Sequence, residues 1–334
     1  MEKFGPVIVS REEDGQRLDK WLKSHYSAIS KVMIEKLCRT GQVRIDSLRV
    51  RPNTRVLVNQ KVRVPVFVRV SPLKYSAQAP KFSSKFIRDL KDAIIFDDEY
   101  FIIFNKPSGV PVQGGSKLGD QHLAGALPEF KSSKNTIPRL VHRLDKDTSG
   151  VLIVAKTPKS AASISKIMKE RQIKKIYWAL VHSWPRKRSG IIFTPAKSNV
   201  ETETQEIENL KKKHNYKIHV LVLDKEEKEA LSMYKILGEF GKERTWLEVV
   251  ALTGRKHQLR RHMASIGCPI IGDRRYGDYG KKGIPKNKCK DSSVVLEKLQ
   301  LHARRVEFIH PFTKKDVRVE ADPPHHMSKM LKLF

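Results

Sequence analysis

The stretch Val141-His142-Arg143-Leu144-Asp145-Lys146-Asp147-Thr148-Ser149-Gly150 gathers carboxylates, cations and hydroxyls in one turn, directly ahead of the apolar run Val151 to Ala155. A turn that feeds a buried strand has its side chains held by rigid neighbours. A carboxylate held there has the chemistry of a nucleophile, or of a group that stabilises cationic character on a substrate. The plainer reading is a solvated turn whose Asp and Ser side chains bond the local backbone. That reading must also account for Arg143, two residues before Asp145, and for the Thr-Ser-Gly that follows.

Other chemistry-bearing signals are weaker. Gly109 to Gly119 holds several glycines but lacks the G-K-[ST] ending of a phosphate loop. His142 to Asp145 departs from the kinase catalytic loop at the intervening Leu144, and no Gly-rich strand or D-F-G segment accompanies it. Cys38, Cys268 and Cys289 are odd in number and far apart, which gives neither a disulfide framework nor a paired zinc spacing. No metal and no cofactor are expected. His325-His326 reads as a tail feature.

The elements around the acidic turn follow from patterning. Strand signals occur at 93–96 and 101–104, joined by Asp97-Asp98-Glu99, and again at 150–156, 174–182, 201–207, 217–223, 231–237 and 245–252. Helices are predicted at about 158–170, opened by Thr157 and Pro158, and at about 257–265, closed by Gly267. Many strands with few long helices predict an α+β domain with a largely antiparallel sheet and flanking helices. Tyr177 falls in the apolar strand Ile176 to Val181, where a tyrosine is ordinarily a core residue. Arg260 and Arg261, on the second helix, read by themselves as a basic face.

Toward the N-terminus, Leu18, Trp21 and Leu22 fall at helical spacing. Ser30 is positioned to cap a second helix through about Arg39, with Met33, Ile34 and Leu37 inward and Gly41 as the stop. Alternation at Val43 and Ile45, Val56 and Val58, and Val62 and Val64 predicts a small sheet. The Pro-, Ser- and Lys-containing stretch that follows reads as a linker. The expected division is a small domain at 1–70, a linker at 71–90 and a larger domain at 91–334.

The 334 residues carry a formal charge of +30. A cation of that size repels itself unless a polyanion is its usual partner, with nucleic acid first and an anionic membrane surface second. Lys36, Arg39, Arg44, Arg49, Arg51 and Arg55 lie within twenty residues in which Asp46 is the sole acid. That density favours phosphate contact over a solvated face. No apolar run approaches the roughly 18–20 residues of a membrane span, and no secretory or transit pattern opens the chain. A cytoplasmic, monomeric protein is expected.

The motif H-R-L-D-x-x-T-S-G at His142 to Gly150 resembles that of the RluA family of RNA pseudouridine synthases. Other family segments stand in order: Lys106-Pro107-Ser108-Gly109, Lys175-Ile176-Tyr177, Thr253-Gly254-Arg255-Lys256-His257-Gln258-Leu259-Arg260, Gly267 to Asp273 with Tyr276-Gly277, and Leu301-His302-Ala303. The stretch from Asp145 to Lys156 looks closest to the RluC branch, which modifies large-subunit ribosomal RNA. Asp14 to Leu22 and Gly41 to Asp46 resemble the alpha-L RNA-binding domain of a small-subunit ribosomal protein.

The resemblance implies an enzyme that converts uridines of 23S ribosomal RNA to pseudouridine, on free RNA or an assembly intermediate. The reaction breaks a carbon–nitrogen glycosidic bond, turns the base over and forms a carbon–carbon bond, with nothing oxidised or added. By the same resemblance Asp145 is the catalytic carboxylate and Arg260 is the cation beside it, a task suited to a guanidinium fork that stays charged. Tyr177 stacks on the extruded base, and Arg143 fills the vacated position or holds a flanking phosphate. Lys36, Arg39, Arg44, Arg49 and Arg51 contact RNA. Lys256 and Arg261 depart from the family pattern. The competing expectation is a non-catalytic RNA-binding or ribosome-assembly factor on the same scaffold.

Overall fold

The chain falls into two units, Met1–Ala79 and Pro80–Phe334, in the computed structural model. The structure describes residues 6–26, 29–70, 82–114, 121–131, 136–194, 219–222, 229–241, 243–277 and 298–334. The predicted strand at 201–207 lies outside these residues, as do the lysine-rich stretches Lys211 to Lys213 and Lys281 to Lys290.

In the first unit, helices Leu18–His25 and Lys31–Arg39 pack on four antiparallel strands, β1 (Val7–Ile8), β2 (Arg44–Ile45), β3 (Leu48–Arg49) and β4 (Lys61–Arg63), in the order β1-β4-β2-β3. Ser30 Oγ accepts the Met33 N–H at 3.1 Å and so caps the second helix. Leu18, Trp21, Leu22, Ile34, Leu37, Val43, Ile45, Val56, Val62 and Val64 form the core. Met33 and Val58 depart from the expectation, each 38% exposed. The buried stripe of that helix runs Ile34-Leu37-Cys38, the i, i+3, i+4 spacing of one face, which leaves Met33 on the flank. Val58 precedes the left-handed Asn59 (φ 67°), where the alternation is broken by a turn. Asp46, with φ 47°, and Ser47, with φ 68°, form the two-residue turn between β2 and β3.

The second unit opens with the helix Ser84–Asp92, capped by Ser83, where the sequence had suggested the end of a linker. An amphipathic turn of helix that buries Leu90 outweighs the local Ser and Lys content. Residues 71–81 of that linker lie outside the described ones.

The strands are β5 (Ile94–Asp97), β6 (Phe101–Lys106), β7 (Arg139–Leu140), β8 (Ser149–Ala155), β9 (Lys174–His182), β10 (Ser189–Thr194), β11 (His219–Val222), β12 (Ala230–Phe240), β13 (Arg244–Ala251), β14 (Leu301–Ile309) and β15 (Asp316–Glu320). They form one 11-stranded sheet with the main order β11-β10-β12-β13-β9-β14-β8-β6-β5, β15 pairing with β14 and β7 with β8. The sheet is largely antiparallel, with β8–β14 and β10–β11 parallel. Strand β8 is buried along its whole length, as a continuous apolar run between two neighbours requires.

Helix Pro158–Lys169 starts at Thr157, whose Oγ1 accepts the Ser160 N–H at 3.0 Å. Trp178 packs edge-on against Trp246, ring centroids 4.9 Å apart. Beside them sits the helix His325–Leu331, with Met327 buried, so the His-His tail feature is a helix start. Among the described residues, no helix is long and apolar enough to cross a membrane.

Candidate active site

The acidic turn spans the connection between β7 and β8, and its exit is fixed by the parallel pairing of Ser149 and Gly150 with His302 and Ala303. Gly150 has φ +105°, and a Cβ built there would lie 2.2 Å from the Ala303 carbonyl oxygen. Only glycine satisfies both conditions. His302 bridges Ser149 Oγ (Nδ1, 2.9 Å) and the Ala321 carbonyl (Nε2, 2.9 Å). Because the carbonyl can only accept, Nε2 carries the proton and the Ser149 hydroxyl donates to Nδ1. The Ser-Gly and Leu-His-Ala segments are thus two halves of one strand junction.

The Lys-Pro-Ser-Gly segment clasps the same turn. Lys106 is fully buried, and its Nζ donates to the carbonyls of Pro107 (2.8 Å), Val110 (2.9 Å) and Lys146 (3.0 Å). Burial pushes this ammonium down to about 7, against the pull of Asp147 and Asp145. Three carbonyl acceptors match the three protons of the charged form. Ser108 Oγ donates to the Asp147 carbonyl at 2.8 Å. His142 accepts the Ile153 N–H at Nε2 (2.8 Å); burial, then the nearby Lys175, push it down to about 3. It is a neutral structural ring.

Asp145 emerges from this frame with its side chain 18% exposed. Arg260 Nη1 stands 3.8 Å from one carboxylate oxygen and His257 Nε2 stands 3.7 Å from the other. All three line a cleft of about 340 Å³ that also takes in Arg143, Lys175 and Tyr177. Burial pushes the Tyr177 phenol up, and the Asp145 carboxylate adds to the effect, so the hydroxyl stays protonated. Burial, then Arg255, lower Lys175. Arg143 is exposed at the mouth.

The sequence reading made Arg260 chiefly a partner of Asp145. Its guanidinium fork instead pairs with Asp273, Nε to Oδ2 at 2.8 Å and Nη2 to Oδ1 at 2.6 Å, and presents its remaining edge to Asp145. Burial alone would lower the Arg260 pKa; the hydrogen bonds and charge of Asp273, together with Asp145, raise it. The helix Gln258–Ser265 that carries Arg260 is set by Gln258. Its Oε1 accepts from Thr253 Oγ1 (2.7 Å) and the Arg255 N–H (3.0 Å), while Nε2 donates to the Leu231 carbonyl (2.9 Å).

The sequence brought Asp145, Tyr177, Arg260 and Arg143 to one cleft but gave no role to Asp273. The G-D and Y-G segments were visible; that Asp273 holds Arg260 and Tyr276 holds His257, the two neighbours of the acid, was not.

Among the N-terminal cations, Lys36, Arg39, Arg49 and Arg51 are exposed. Arg44 is half-buried and donates to the Gly41 carbonyl (3.0 Å) and the Ser47 carbonyl (3.1 Å). Arg55 reaches the Gly15 carbonyl at 2.5 Å.

The family model described as RNA pseudouridylate synthase matches residues 100–265, the stretch that holds Asp145, Tyr177, His257 and Arg260. A second model, the S4 domain, matches residues 16–62. The chain is 30% identical over 318 residues to the ribosomal large subunit pseudouridine synthase C of Buchnera aphidicola subsp. Schizaphis graminum, covering 94% of this chain and 92% of that one. It is 30% identical over 328 residues to the protein of that description from Escherichia coli (strain K12), covering 97% and 95%. The chain belongs to the RluA family of RNA pseudouridine synthases. A solved human structure, RNA pseudouridylate synthase domain containing 4, shares the fold at a TM-score of 0.58 and 22% identity, over 78% of this chain and 97% of that one.

Proposed function

We propose that this enzyme isomerises uridines of 23S ribosomal RNA, with Asp145 as the reacting carboxylate. The observation that carries the reading is the convergence of Asp145, Tyr177 and Arg260 on one cleft from three separate elements. Two relatives described as large-subunit enzymes, similar along nearly their whole length, support the choice of RNA.

The geometry divides the labour. Arg260 stands 3.8 Å from one carboxylate oxygen and His257 3.7 Å from the other, and the cleft beside them takes a ribose or base. Tyr177, neutral and in the cleft wall, offers a ring on which an extruded base stacks for roughly 1–3 kcal/mol. That offsets part of the few kcal/mol needed to unstack the nucleotide. Arg143, exposed at the mouth, is placed for the flanking RNA. In the first unit, Lys36, Arg39, Arg49 and Arg51 supply phosphate contacts, and Arg44 serves first to hold the turn beneath them.

Asp145→Asn is expected to abolish tritium release from 23S RNA labelled at uridine carbon five, while RNA binding stays within a few-fold. Turnover retained in that variant rules out the assignment. Site-by-site pseudouridine mapping of RNA from cells with and without the gene tests the substrate; unchanged large-subunit RNA would exclude it.

A further inference from the structure

His257 occupies a left-handed backbone conformation, φ 54° and ψ 25°, at the start of its helix. Non-glycine residues in this region carry strain that the surroundings must hold. What holds the ring is visible on its far side: His257 Nδ1 is 2.9 Å from Tyr276 Oη, with the two ring centroids 5.6 Å apart. The near side, Nε2, faces Asp145 Oδ1 at 3.7 Å.

Tyr276 is itself fixed by the turn that aims Arg260. Asp273 Oδ1 accepts the N–H groups of Arg275 (2.9 Å) and Tyr276 (3.1 Å) while both its oxygens hold the Arg260 fork. The Tyr276 ring lies under two guanidinium groups, those of Arg260 at 5.3 Å and Arg275 at 5.5 Å. Attraction of these cations to the ring face holds the ring in place. One short turn therefore sets both neighbours of the carboxylate.

We infer that Tyr276 is a positioning residue: by donating its hydroxyl proton to His257 Nδ1 it fixes the neutral imidazole as the Nε2–H tautomer, a donor aimed at Asp145. Which imidazole nitrogen carries the proton is set by the bond that the other makes. A carboxylate accepts only, so the tautomer with hydrogen on Nε2 is the productive one. The alternative tautomer would turn a lone pair toward the negative charge. Burial, the largest influence on His257, lowers its pKa, with Arg260, Arg275 and Lys256 adding to this against Asp145, which fits a neutral ring. The catalytic part of this inference rests on Asp145 as the reacting group; the tautomer itself does not.

The test is nitrogen-15 NMR of the full-length protein labelled at histidine, with the His257 signals assigned by their loss in His257→Gln. The native protein should show a protonated Nε2 and a bare Nδ1 at residue 257. Tyr276→Phe keeps the ring beneath the two guanidinium groups and deletes only the hydroxyl. It should give averaged tautomer shifts and about a tenfold fall in kcat, with KM for RNA within twofold. A protonated Nδ1 in the native protein, native shifts in Tyr276→Phe, or native kcat in that variant overturns the inference. Turnover by Asp145→Asn would instead overturn the catalytic reading and leave the tautomer result standing, so the two failures are told apart.

Discussion

Replacing Asp273 by Asn separates the role of its charge from that of its shape. The side chain is fully buried, and an Asn oxygen still accepts from the Arg275 and Tyr276 N–H groups, so the turn is kept. What is lost is the negative partner of a guanidinium that is itself only 11% exposed. Breaking such a pair from one side costs about 3–5 kcal/mol because the other charge is left uncompensated. For a unit of this size each kcal/mol shifts the melting temperature by about 2–4 °C, so a fall of about 6–20 °C is expected.

Among the described residues the remaining acid paired with Arg260 is Asp145; a guanidinium that closes on it recovers part of that cost, toward the lower end of the range, and ties up the carboxylate, so kcat should fall. The pH dependence gives a second check. Burial alone would raise the Asp273 carboxyl, but the Arg260 hydrogen bonds and two backbone N–H groups bring it below its ordinary value. A carboxyl lowered on folding contributes stability that is complete above its unfolded pKa of about 4 and is lost as pH falls through the folded value. The gap in melting temperature between native protein and Asp273→Asn should therefore be constant from neutrality to about pH 4 and narrow below it. Calorimetry across that range, with tritium release as the activity assay, measures both. A fall of less than about 2 °C together with native kcat would refute the reasoning.

Gly150→Ala should fail to accumulate as folded protein, or lose more than about 4 kcal/mol in urea unfolding, because the new Cβ meets the Ala303 carbonyl. Lys106→Met removes the donor to three carbonyls and should cost about 2–4 kcal/mol, read by the same unfolding experiment. Changing Lys36, Arg39, Arg49 and Arg51 together to Gln should reduce the slope of log binding constant against log salt by about 3, without altering the melting temperature by more than a few degrees. An unchanged slope in titrations from low to high salt would place the RNA elsewhere.

The apolar strands were legible: β8, buried along its whole length, and β9, buried at Ile176 and from Ala179 to Val181, stand where short apolar runs placed them. Strand β10 escaped, since Ser189-Gly190 at its start reads as a turn and its burial depends on β12 and β11 beside it. The helix Ser84–Asp92 was hidden by polar residues that face outward. At the site, Asp145, Tyr177 and Arg260 were found through motifs. The pairing of Arg260 with Asp273 and the bond between His257 and Tyr276 arise from tertiary packing, which no local pattern encodes.

Strand β14 holds a place with consequences for synthesis of the enzyme. It begins at Leu301, yet it is the seam between β9 and β8, and so between the half-sheet of Tyr177 and the half-sheet leading from Asp145. A ribosome that stalls before this segment emerges leaves the edges of β8 and β9 unsealed and the turn of Asp145 without its partner strand. The sheet of this unit can therefore close only late in translation, once β14 is available to pair with both β8 and β9.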